Sequence, residues 1–169
     1  RPECMERDAR NLLLWRGPRF RLDAEMLRDS ALSAAGLLSR KLYGPSVFPR
    51  QPDGIWAMPY SGDSWVLSSG EDRFRRAVYT FIRRTAPYPS MMTFDAGSRE
   101  SCLPRRIRTN TPLQALTTLN DPVYVEAAQG VARRAVREGG ADPNARAAYM
   151  IKLCVGRRPR DGEAERLVA

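Results

Sequence analysis

Histidine is absent from the 169 residues, and that omission excludes more chemistry than any motif present suggests. Without an imidazole the chain holds no Ser-His-Asp or Cys-His catalytic pair, no histidine-ligated zinc and no histidine axial ligand to haem. Lysine is almost missing too: Lys41 and Lys152 are the only lysines among 28 basic residues, so the other 26 are arginines. Cys4, Cys102 and Cys154 stand far apart with no C-x-x-C, which argues against a metal cluster and leaves one disulfide with a free thiol, or three buried thiols. No apolar run reaches the roughly 18 residues of a membrane span. The opening "RPECMERDAR" has neither an initiator methionine nor the pattern of a signal peptide, and reads as a piece of a longer chain.

What is present describes a globular chain. A 43% hydrophobic content over this length supports one domain, residues 1–169, with a real core. The net charge of +9 fits nucleic acid, an acidic polysaccharide or an acidic partner, although a G+C-rich genome supplies arginine without any selection for binding. Apolar spacing predicts a helix from about Asp23 to Lys41, with Leu27, Ala31, Ala34 and Leu38 on one stripe. A second is expected over residues 71–85, burying Phe74, Val78, Phe81 and Ile82 and exposing Arg73, Arg76 and Arg83. Asp121-Pro122 and Asp142-Pro143 each read as a cap followed by a first helical residue. The first of these opens a helix burying Val125, Ala128, Val131, Ala132 and Ala135 and ending at Gly139-Gly140; the second runs to about Cys154, and Asp161 caps a last stretch. Residues 44–69 form a long loop carrying Phe48, Trp56, Tyr60 and Trp65, expected to staple onto the helices, with a short strand over residues 65–68. The sharper reading of that loop is a stacking platform for sugars or bases. Together these make an all-α chain, an irregular bundle of five or six helices with little or no strand.

The most informative stretch is "RRIRTNTPLQALTTLND", residues 105–121. Thr111 caps a helix, Pro112 suits its first position and Gln114 completes a capping box. Arg105, Arg106 and Arg108 precede this positive helix end, so something negative belongs among them. The bland candidates are internal carboxylates such as Asp95, Glu100, Asp121 or Glu126, with Glu25 and Asp29 of the helix at 23–41 also expected to pair with Arg99, Arg105 or Arg106; the sharp one is a bound anion. The candidate polar site therefore comprises Asp95, Arg99, Arg105, Arg106, Arg108, Thr109, Asn110 and Gln114. Arg106 is assigned to carboxylate pairing and Arg108 to ligand contact.

The segments "LLLWRGPRFRLDAEMLRDSAL", "GPSVFPRQPDGIW", "RRAVYTFIRRTAPYPSMMTFDAGSRESC", "RRIRTNTPLQALTTLNDPVYVEAA" and "GRRPRDGEAERL" resemble, in this order, the planctomycete-type cytochrome-associated domain of unknown function catalogued as fifteen fifty-three. The likeness spans nearly the whole chain and is most specific in "FDAGSRESC" and "RTNTPLQALTTLND". It implies a C-terminal module of large exported bacterial proteins, located in the periplasm or cell envelope, often following a c-type cytochrome domain. The C-x-x-C-H of covalent haem attachment is missing here, so the resemblance implies haem only in a separate domain of the parent protein. The leading expectation is an accessory or ligand-binding domain whose partners are the parent's other domains and an anionic small molecule or polysaccharide. The alternatives are a histidine-free catalytic domain using Asp95 or Glu100 beside the arginines, or a structural scaffold; nucleic-acid binding lacks any reading motif.

Overall fold

Proline opens five of the seven helices found among the described residues. The computed structural model describes residues 2–17, 20–56 and 62–169. In chain order the helices are α1 (Pro2–Arg7), α2 (Ala24–Ala35), α3 (Pro89–Thr93), α4 (Pro112–Asn120), α5 (Pro122–Glu138), α6 (Pro143–Val155) and α7 (Glu163–Val168). Proline at the first helical position loses no hydrogen bond, and a capping side chain stands before three of these prolines. Thr111 accepts from Gln114 N–H, Asp121 from Val123 N–H at 3.0 Å and Asp142 from Ala145 N–H at 2.9 Å. The architecture is all-α, with isolated backbone bridges and no sheet among the described residues. Both α3 and α1 escape apolar periodicity, which needs more turns than either has.

The longest packing contact runs between α2 and α5, and α6 and then α7 stack outward from α5. Gly130 permits the close approach: a Cβ there would lie 2.8 Å from Ala35 Cβ. The buried face of α5 is accordingly Val123, Tyr124, Ala127, Gly130 and Ala135. The expected stripe was turned around the axis, because Ala128 and Ala132 face solvent and Val125 is 40% exposed. Helix α2 stops at Ala35 instead of continuing to Lys41, since Gly36 adopts a left-handed φ of 71° and Leu37 N–H closes onto Leu32 O at 2.9 Å. Its buried face carries Arg28, 1% exposed, beside Ala24, Leu32 and Ala35.

Residues 70–85 are not the expected helix. They form two 3₁₀ turns, Gly70–Phe74 and Ala77–Tyr79, joined by extended backbone at Arg75 and Arg76; Arg75 and Ala77 are buried while Arg76 and Val78 face out. The cause lies on α2. Arg28 Nη1 donates to Arg75 O at 2.8 Å and Nη2 to Arg73 O at 2.9 Å, while Asp29 Oδ1 accepts Ala77 N–H at 2.7 Å. Those backbone groups are thereby committed outside any helix, and Phe74 O takes Ser39 N–H at 3.0 Å. The expected basic stripe is likewise paired: Arg73 with Glu126, Arg76 with Asp29 at 3.6 Å and Arg83 with Asp63 at 2.8 Å.

The aromatic loop does staple. Trp65 donates its indole N–H to Pro49 O at 2.8 Å and packs edge-on to Phe48, centroids 5.0 Å apart, while Phe48 stacks on Phe81 at 4.9 Å. The short strand expected over residues 65–68 is replaced by a bond from Ser68 N–H to Phe48 O at 3.0 Å and another from Phe48 N–H to Ser68 Oγ at 2.9 Å. Tyr60 lies outside the described residues. All three cysteines are unpaired, and Cys102 and Cys154 are exposed rather than buried. The last helix takes Gly162 as its cap in place of Asp161.

Candidate functional site

A left-handed turn after α3 starts the site. Asp95 sits at φ 61° and Arg99 at φ 65°, a conformation that aspartate tolerates through local hydrogen bonds and arginine seldom adopts. The turn brings Asp95 beneath the start of α4. There its Oδ2 accepts Thr109 N–H at 2.8 Å, and the Thr109 hydroxyl lies 3.0 and 2.9 Å from its two oxygens. Arg21 reaches in from the segment before α2. It pairs with Asp95 through Nη2, donates from Nε to Thr109 O at 2.8 Å and from Nη1 to Leu22 O at 2.9 Å. Gln114 is the one buried residue of α4. Its Nε2 donates to Thr93 O at 3.0 Å and to Thr109 Oγ1 at 2.9 Å, and its Oε1 accepts Thr111 N–H at 3.1 Å. Asp95, Thr109, Gln114 and Arg21 thus form one knot that joins the end of α3, the arginine loop and the start of α4.

The arginines do not cover the start of α4. Residues 99–108 turn instead toward the acidic first turn of α2, where Arg106 binds Glu25 bidentately at 2.6 and 3.0 Å and Arg99 stands 3.9 Å from the same carboxylate. Arg108 donates from Nε to Asp23 at 3.0 Å and lies over the Phe20 ring, 4.9 Å from its centroid. Asp23 is free for this because it caps α2 without a side-chain hydrogen bond of its own. Arg105 is exposed and makes no ion pair among the described residues. With Asp23, Leu103, Arg106 and Arg108 it lines an open cleft of about 720 Å³. Asn110 is exposed beside the knot.

Electrostatics separates the anchoring carboxylates from free ones. Burial works to raise Glu25, but the Arg106 hydrogen bonds and charge outweigh it and hold the carboxyl below its ordinary value. Asp95 behaves alike: burial raises it, while the Thr109 N–H and hydroxyl and the Arg21 charge bring it down on balance. Asp121, under α5, goes the other way, raised by burial despite the Val123 N–H and the Arg28 charge. An ionised Asp95 with both oxygens occupied is an anchor for backbone and arginine, with little left to offer a reacting proton. Glu100, the other carboxylate considered for acid or base work, is exposed. No group of three or more acidic or cysteine side chains able to hold a metal ion exists among the described residues.

Of the residues expected from sequence, Asp95, Thr109 and Gln114 meet in the knot, while Arg99, Arg106 and Arg108 meet the carboxylates of α2 beside it. Glu25 was expected as a partner of these arginines and is the partner of Arg99 and Arg106, whereas Arg21 and Asp23 were missed as site residues. The signal existed in the charge pattern at the start of α2, which otherwise reads as a solvated ladder.

The chain belongs to the PSD1 family, described as protein of unknown function (DUF1553), whose family model matches residues 1–169. No curated protein and no solved structure matches it.

Proposed function

We propose that this PSD1 chain serves as an accessory, ligand-binding module of a larger exported protein associated with a c-type cytochrome, and that its arginine cleft takes an anionic group of a polysaccharide or small molecule. Haem in this reading belongs to a separate cytochrome domain, because this chain has neither histidine nor a C-x-x-C-H. The observation that carries the ligand is Arg105. Its neighbours Arg106 and Arg108 are held and neutralised by Glu25 and Asp23, so they form a fixed ion-paired wall, and Arg105 alone among them has its guanidinium uncommitted among the described residues. A planar guanidinium beside a preorganised wall suits the two oxygens of a carboxylate or sulfate. The occupied oxygens of Asp95 favour this over a catalytic reading.

Calorimetric titration with polygalacturonate, dextran sulfate and uncharged dextran tests the proposal. We expect the two polyanions to bind and dextran not to, with Arg105→Ala weakening the polyanions about tenfold, the loss of one charge-assisted pair. A scaffold without a ligand predicts equal, weak binding for both proteins, and that result would overturn the proposal.

A further inference from the structure

We infer that a second cleft, on the opposite chemistry, binds neutral pyranose units of a glycan. It lies where residues 50–56 fold over Trp65, has a volume of about 670 Å³, and is lined by Trp56, Trp65 and Leu67 together with Arg50, Gln51 and Asp53. That size falls in the ordinary range of ligand clefts, about 300–1,000 Å³. Its residues are distinct from those of the arginine cleft.

Two groups in this wall lack partners. Gln51 Oε1, an acceptor, and Trp56 Nε1, a donor, are both shielded from solvent and make no hydrogen bond among the described residues. An unpaired buried polar atom is costly, and a native structure that keeps two in one wall has a use for them or fills them. Both residues line the cleft and are themselves only half-buried, so a ligand there meets Gln51 only where its amide rotates to turn the oxygen outward. The rest of the wall is fixed. Trp65 is held by Pro49 O and the Phe48 ring, and the Tyr88 hydroxyl donates to Arg50 O at 2.5 Å.

The ligand class follows from what the wall offers. Arg50 and Asp53 balance in charge, so the cleft has no preference for an anion and no track for phosphates, which separates it from a nucleic-acid groove. Indole and aliphatic surface alone would suit an apolar molecule, but that would leave the orphan donor and acceptor unmet. A pyranose satisfies both demands: its C–H face lies on apolar and indole surface, and each hydroxyl both donates and accepts.

Calorimetry of the chain with cellohexaose, mannohexaose and xylohexaose, each up to millimolar concentration, tests this. At least one should bind saturably, and Gln51→Ala should weaken it about five- to tenfold, one neutral hydrogen bond, with an unchanged melting temperature. Arg105→Ala should leave that binding intact, so failure of the anion proposal and failure of this one read out separately. The inference is overturned if none of the three binds to natively folded protein, or if Gln51→Ala binds as tightly as the parent.

Discussion

Asp95 shows how one carboxylate in an unusual conformation organises its surroundings. Its left-handed backbone aims both oxygens at Thr109, and Arg21 then ties the same charge to the carbonyls of Thr109 and Leu22. Because Asp95 and Glu25 are depressed in the folded chain, their contribution to stability is complete above the unfolded carboxylate range near about 4 and is lost as pH falls through the lower folded values. Asp121, raised by burial, contributes in the opposite sense: its part is present at low pH and fades as pH rises through its folded value. Asp95→Asn should cost about 2–3 kcal/mol at neutral pH, since the amide removes the charge that offsets Arg21 and puts a donor where Oδ1 accepts the Thr109 hydroxyl. Urea unfolding at several pH values should show the gap between wild type and Asp95→Asn narrowing below about pH 4. A gap that stays constant down to pH 2 would mean that Asp95 acts through packing rather than charge.

At the level of elements, α2 acts as a clamp. Arg28 holds the carbonyls of Arg73 and Arg75; Arg75, buried in turn, donates to the carbonyls of Tyr43 and Pro45 and lies 3.8 Å from the Tyr79 ring centroid. Each guanidinium spans acceptors that a lysine ammonium reaches only one at a time. Arg28→Lys should therefore destabilise the chain by about 2–4 kcal/mol, leaving one carbonyl and a poorly solvated charge uncompensated. Chemical denaturation measures this, and a loss under 1 kcal/mol would show that the carbonyls find other partners.

The same clamp explains what the sequence revealed and what it hid. The starts of α4, α5 and α6 were legible because proline and its preceding cap act within a few residues. The path of residues 70–85 was not, because it depends on Arg28 and Asp29, more than forty positions away, placing an arginine on what apolar spacing reserves for hydrophobic residues. Asp95, Thr109 and Gln114 of the knot were legible from capping chemistry and polar density, whereas Arg21 was not. Glu25 was among the partners expected for Arg106, but the partner of Arg108 was open, since only the direction of the 99–108 loop decides whether it meets α4 or α2.

Across the whole molecule the 28 basic side chains are less available than a count of them suggests. Ion pairs to Asp23, Glu25, Asp29, Asp63 and Glu126 engage arginines that a sequence count treats as free. An evenly basic surface would respond to any salt by gradual screening, whereas one cleft with an uncommitted guanidinium would saturate. The central claim, that Arg105 marks an anion site while Arg106 serves the fold, is tested most directly by thermal denaturation in sulfate against chloride at matched ionic strength. The account predicts a saturable, sulfate-specific rise in the melting temperature for the wild type. Arg105→Ala should lose that rise at an unchanged baseline, and Arg106→Ala should lower the baseline through the loss of the Glu25 pair. No sulfate-specific rise in the wild type, or an equal rise in Arg105→Ala, would contradict it.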